Sequence, residues 1–169
     1  GFSYTCKILV TSYIDGKFQV IDTLGSSINQ KGKNSTMPRI AKIDGLDYLF
    51  FSSNRRGSVG GLDIWVAESI DGIQFKEPRN ISTINTFENE ISPWFDSKEN
   101  KLFFSSTWHN GFGGQDVHYS DYIDGVFSSP MNALEPINSP ANDMYYFKHD
   151  DTTYMASNRL GGYYSQNPT

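Results

Sequence analysis

Short runs of alternating apolar and polar residues fill this chain, separated by turns rich in Gly, Asp and Asn. No window of useful length keeps a 3.6-residue apolar period, so the pattern predicts strands and no helix. The clearest unit lies within residues 90–138. Ile91-Ser92-Pro93-Trp94-Phe95 predicts a first strand, followed by the polar turn Asp96-Ser97-Lys98-Glu99-Asn100. Residues 102–106 predict a second strand, apolar enough to be buried on both faces. The loop from Trp108 to Gly114 leads into a third, alternating strand over residues 116–122. Asp124-Gly125 is a hairpin signal, because a type I′ turn needs positive φ at both central positions. Residues 126–134 predict a weaker, polar fourth strand suited to an outer edge.

The unit is written more than once. Leu49-Phe50-Phe51-Ser52-Ser53 returns 53 residues later as Leu102-Phe103-Phe104-Ser105-Ser106, and Gly60-Gly61-Leu62-Asp63 as Gly113-Gly114-Gln115-Asp116. Ile70-Asp71-Gly72 and Ile84-Asn85 return as Ile123-Asp124-Gly125 and Ile137-Asn138. A fixed offset across separate motifs marks a tandem structural unit. The same Asp-Gly hairpin is expected at Asp15-Gly16, carried by a strand over residues 7–13. A further second strand is expected at Tyr154-Met155-Ala156-Ser157-Asn158-Arg159, with Gly161-Gly162 echoing Gly60-Gly61. The expected class is therefore all-β, with four-stranded antiparallel meanders matching β-propeller blades better than a sandwich or barrel.

The register divides the chain into the last two strands of a blade (1–36), two full blades (37–89 and 90–142) and the first two strands of another (143–169). Closed propellers use roughly four to eight blades. About three blades' worth of strands implies a segment of a larger propeller. The opening Gly1 and the polar tail from Tyr163 to Thr169 fit that expectation.

Composition narrows function more than fold. Aromatic residues make up 15% of the 169 residues, with 12 Phe and 10 Tyr, which agrees with strands. A net charge of −5 argues against nucleic acid as a partner, since phosphate binding relies on clustered Lys and Arg. The one dense basic run, Arg55-Arg56, reads as a solvated turn. No apolar run approaches the roughly 20 residues that span a bilayer. The single cysteine, Cys6, lies in a strand-like run and reads as a small buried hydrophobe.

Asn89-Glu90-Ile91-Ser92-Pro93-Trp94-Phe95, then the Leu-Phe-Phe-Ser-Ser strand, then Gly-Gly-x-Asp resembles the TolB-type, WD-like propeller repeat, in the version found in Bacteroidota envelope proteins. Such propellers often accompany tetratricopeptide repeats and OmpA-like peptidoglycan-binding domains, and some belong to type nine secretion or gliding machinery. The resemblance implies a non-catalytic scaffold in the periplasm or on the surface of a Gram-negative bacterium. Its partners would be other envelope proteins, with peptidoglycan reached only through domains outside this chain. Two departures stand out: Tyr164 replaces the Asp expected after Gly161-Gly162, and Phe2-Ser3-Tyr4 replaces the first Gly-Gly-x-Asp.

Repetition also decides how candidate chemistry is read. Asp63 and Asp116 each follow a Gly-Gly pair and read as structural caps that accept turn N–H groups, with Gly60, Gly61, Gly113 and Gly114 as the turn itself. Asp15-Gly16, Asp71-Gly72 and Asp124-Gly125 read as structural hairpins; Ser69-Ile70-Asp71-Gly72 loosely resembles the sialidase Asp-box, itself a structural turn. Ser52, Ser53, Ser105, Ser106 and Ser157 lack a base at matching repeat positions, because His109, His118 and His149 fall on unlike ones. His109, His118 and Asp116 give too few local ligands for a closed zinc site. No catalytic, metal or cofactor residue is therefore expected. The candidate interaction surface is Arg55, Arg56, Trp108, His109 and Phe112, in equivalent loops expected on one propeller face. Trp108 and Phe112 fit either an exposed surface or a tuck between blades. The alternative function is a propeller glycoside hydrolase, with Glu68, Glu88, Glu90 or Asp143 as carboxylates, or a module binding glycan or peptidoglycan.

Overall fold

The computed structural model describes residues 5–19 and 22–160. Gly161, Gly162, Tyr164 and Phe2-Ser3-Tyr4 lie outside the described residues. The fold is all-β: antiparallel sheets succeed one another along the chain, none closes on itself, and the described residues contain no helix. The first sheet pairs β1 (Leu9–Val10) with β4 (Asp22–Thr23), and the hairpin β2 (Tyr13–Ile14)–β3 (Lys17–Phe18) projects between them. Next comes a four-stranded meander, in the order β5 (Ser35–Ile43), β6 (Leu46–Ser53), β7 (Asp63–Glu68), β8 (Arg79–Asn80). The second meander is β9 (Glu90–Asp96), β10 (Lys101–Ser106), β11 (Asp116–Ile123), and then β12 (Val126–Phe127) and β13 (Met131–Asn132), which both pair with β11. The hairpin β14 (Asp143–His149)–β15 (Thr152–Ser157) ends the described chain.

The expected fourth strand over residues 126–134 is thus two short pieces. Pro130 cannot donate to the ladder. Between the pieces Ser128 takes over: its carbonyl accepts from Ser120 Oγ at 2.6 Å, and its hydroxyl accepts from Asp121 N–H at 3.0 Å.

Strand alternation explains how the sheets stack. In β6, Leu49 and Phe51 point to the first sheet, where they pack with Trp65, Ala67, Phe75, Ile8, Leu24 and Ile28. Phe50 points the other way, against Phe95, Leu102, Phe104 and Phe127 of the third sheet. Phe50 and Phe95 stack with centroids 5.5 Å apart, and Phe127 meets both edge-on. In β10, Phe103 leaves that core for Tyr146 of the last hairpin, at 4.4 Å. The second strands β6 and β10 therefore each carry the cores on both sides of their sheet.

Three tight turns have positive φ at both central residues: Asp15-Gly16, Asp44-Gly45 and Asp124-Gly125. Asp71-Gly72 does not share that geometry, which corrects the expectation of one hairpin type. There only Gly72 has positive φ, and the loop is wider, closed by a Ser69–Phe75 bridge. Asp71 Oδ1 accepts from the N–H groups of Ile73 and Gln74, so the side chain replaces the tight turn. Cys6 is also corrected: its side chain is exposed. It lies ahead of β1, tied through its backbone to Asn34 Oδ1 at 2.8 Å and to Ser35 N–H at 3.0 Å, which leaves the thiol on the uncovered side.

Candidate functional site: the loop end of the stacked sheets

Loops joining second to third strands emerge at the same end of the sheets as those joining one sheet to the next, because the strands alternate in direction. The first kind carries the Gly-Gly-x-Asp motif. Asp63 is fully buried; its carboxylate accepts from Val59 N–H at 2.8 Å, Gly60 N–H at 3.2 Å and Asn80 Nδ2 at 2.6 Å. Asp116 accepts from the N–H groups of Phe112 and Gly113 at 2.9 and 3.0 Å. Both carboxylates hold their own loops, Asp116 through Oδ2 alone, its Oδ1 being buried without a partner. The glycines serve contact between sheets: a Cβ at Gly60 would overlap the backbone of Thr86 and Phe87, and one at Gly113 that of Pro140 and Ala141.

An asparagine clamp repeats beside each loop. Asn85 accepts from Ile64 N–H at 2.8 Å and donates to Ile64 carbonyl at 2.9 Å. Asn138 does the same to Val117, at 2.8 and 2.7 Å. Asn29 does it to Ile8, at 2.8 and 2.9 Å. The third clamp was legible as Ile28-Asn29, matching Ile84-Asn85 and Ile137-Asn138. It was missed because little else in that stretch repeats.

A second series ties the carbonyl before each clamp. Arg55 donates to Ile28, His109 Nε2 lies 2.9 Å from the Ile84 carbonyl, and Arg159 donates to Ile137. Arg55 is therefore not a solvated, interacting residue. It is 5% exposed, with its guanidinium 4.9 and 5.2 Å from the rings of Phe51 and Trp65. Burial pushes its pKa down. His109 is half-buried by the same role, while Arg56 is exposed.

Because His109 does the work that an arginine does in the other two copies, Trp108 is released to solvent. It is 56% exposed and Phe112 48%. Trp108 meets Phe87, itself 74% exposed, edge-on at 6.1 Å. Phe87 belongs to the loop joining two sheets, and no repeat motif pointed to it. The backbone beneath Phe87 is the one against which Gly60 packs, so neighbouring loops share one surface.

Most of the other candidates are dispersed into structural bonds. Ser106 Oγ donates to Glu90 and Ser53 Oγ to the Asn34 carbonyl, while Ser52 and Ser105 hydroxyls are buried without partners. Glu68 pairs with Lys76, and Asp143 with Arg159. Glu90 accepts from the Thr86 hydroxyl at 2.6 Å. Among the described residues no three His, Cys, Asp or Glu side chains converge as metal ligands.

His118 is almost wholly buried, with Nδ1 3.0 Å from the Asp116 carbonyl and Nε2 3.2 Å from the Asn110 carbonyl. A neutral ring can donate to only one of them. Burial pushes its pKa down, assisted by His109; the two carbonyls and the Asp116 charge oppose this. The unfolded chain thus binds the proton more readily. The stability contributed by neutral His118 is complete above about pH 6.5 and is lost as pH falls below it. The unfolding midpoint is expected to drop between pH 7 and 5, with a shallower slope in His118→Gln. An unchanged slope in that variant would assign the effect elsewhere.

Comparison of the chain with family models, curated proteins and solved structures found no match.

Proposed function

We propose that this chain is a run of β-propeller blades that serves as a non-catalytic docking scaffold for other proteins of a bacterial envelope. On this reading the meanders β5–β8 and β9–β13 are whole blades, flanked by the parts of two others, in the periplasm or at the cell surface. Support for the blade reading comes from successive meanders stacked in chain order, with β6 and β10 each feeding two cores. A secretion or motility complex is the setting suggested by the repeat's resemblance.

The observation that carries the docking role is the exposed aromatic group of Phe87, Trp108 and Phe112 on loops fixed from beneath by partly buried hydrogen bonds. Exposed aromatics on a rigid base suit an interface, since little ordering entropy remains to be lost. The F87A/W108A double variant should fold with an unchanged midpoint. Used as bait in quantitative pull-downs from envelope fractions of a Bacteroidota species, it should retain about tenfold less of any specific partner than the wild type does. Equal recovery by both baits, or no partner for either, would refute docking at this surface.

A further inference from the structure

The first strands of three successive sheets share a distortion that nothing in the loop surface uses. β5, β9 and β14 each contain a bulge at the same repeat position, where the register to the second strand shifts. Each bulge holds a non-glycine residue in the left-handed region: Met37 at φ 53°, Ser92 at 56° and Tyr145 at 57°. That conformation is unfavourable for an L-residue, because its Cβ crowds the following carbonyl oxygen. Three dissimilar side chains accept it, so the site rather than the residue demands it. Strain of this kind concentrates where a surface is being shaped for use. A bulge also inserts one residue into the alternation and re-aims the side chains beyond it.

Two positions beyond the strained residue in each strand stand Arg39, Trp94 and Phe147. Together with Met37, Pro93 and Tyr145 they line a groove of about 330 Å³ across the three strands. Tyr145 and Phe147 are 47% and 37% exposed. Arg39 is exposed, and its guanidinium stands 5.8 Å from the Phe147 ring centroid. No carboxylate lines the groove. Among the described residues Arg39 makes no ion pair, a state it shares with several exposed lysines; what sets it apart is its place beside the Phe147 ring in a groove without a carboxylate. In a chain of net charge −5 this is an uncompensated cation on an aromatic wall.

We infer that the groove binds an extended peptide segment of another protein, through an Asp or Glu side chain flanked by apolar residues. Arg39 takes the carboxylate, with the fork geometry that suits it. Trp94, Tyr145 and Phe147 cover the apolar flanks. The groove's other polar side-chain groups are few: the Ser92 hydroxyl is turned to Met37 Sδ at 3.6 Å, and the rest are the Trp94 indole N–H and the hydroxyls of Tyr145 and Tyr146. A glycan would need many more convergent donors and acceptors, which favours the peptide. The site is separate from the Phe87–Trp108 surface and stands or falls apart from it.

The test pans a random dodecapeptide library on the full-length protein, with depletion against R39E. Recovered peptides, made with amidated C-termini, are titrated while tryptophan fluorescence is monitored. An Asp or Glu beside Leu, Phe or Pro should be enriched. Affinity should fall about tenfold or more when that acid is changed to its amide or when the protein is R39E. R39K should keep part of it, and W108A all of it. The acid-to-amide exchange needs no protein variant, so it decides the matter even should R39E be destabilised. Recovery without acidic bias, equal binding to R39E, or no saturable peptide would overturn the inference. Saturable binding of hexagalacturonate without any peptide would overturn it in favour of an anionic glycan.

Discussion

Gly113→Ala is expected to lose most of the stability of the third and fourth sheets together. Its new Cβ would fall on the carbonyl groups of Pro140 and Ala141, which are backbone and cannot rotate away. Relief requires the two sheets to separate. Separation breaks the bond from Gly114 N–H to Ala141 carbonyl at 3.3 Å and that from Asp143 N–H to Gln115 carbonyl at 2.6 Å. Overpacking at a site that cannot yield costs about 3 kcal/mol or more. For a chain of this size that is roughly 6–12 °C in the unfolding midpoint. Gly125→Ala is the control. Its Cβ would meet nothing within 4 Å, although φ is +84°, so only backbone strain of about 1 kcal/mol is expected. Differential scanning calorimetry of both variants checks this, and similar midpoints for the two would show that the sheets do not approach there.

Asn85→Ala is expected to be nearly as costly, through hydrogen bonds instead of volume. The amide of Asn85 is the partner of Ile64 N–H and donates to both the Ile64 carbonyl and Asn80 Oδ1. Ile64 is fully buried, so its N–H would have no substitute. The Ile64 carbonyl keeps one bond, from Ile81 N–H at 3.2 Å. An orphaned buried donor and a lost acceptor pairing cost about 2–4 kcal/mol together, or roughly 5–15 °C. Asn85→Asp should not rescue it at neutral pH, because a carboxylate oxygen would then face the Ile64 carbonyl. A midpoint within 2 °C of wild type (roughly the resolution at which about 1 kcal/mol is seen) would mean that water replaces the amide.

These two sites differ in how far they could be read from sequence. Gly113 and Asp116 were legible as a turn and its cap, because both recur at one offset and the chemistry is local. Asn85 was legible as a repeated residue but not as a clamp. Its partner lies 21 residues away, and no local pattern says which backbone group lacks a neighbour. The bulges at Met37, Ser92 and Tyr145 carry no glycine to announce positive φ. Arg55 was misplaced for a related reason. The repeat aligns Arg55 with Trp108, whereas the carbonyl beneath is served by Arg55, His109 and Arg159, one position out of register in the middle copy.

By itself, then, the sequence determined most of the strands and turns and the repeated meander, although the expected strand over residues 7–13 is broken between β1 and β2. Alternation of side chains, positive φ and Asp capping act over a few residues and leave local marks. Tertiary structure decided which charged residues are interior, which aromatic residues reach solvent and where the first strands bulge. Those outcomes depend on backbone groups of neighbouring sheets that need partners. A buried carbonyl accepts an arginine or a histidine equally well, and only the stacking of the sheets brings it within reach.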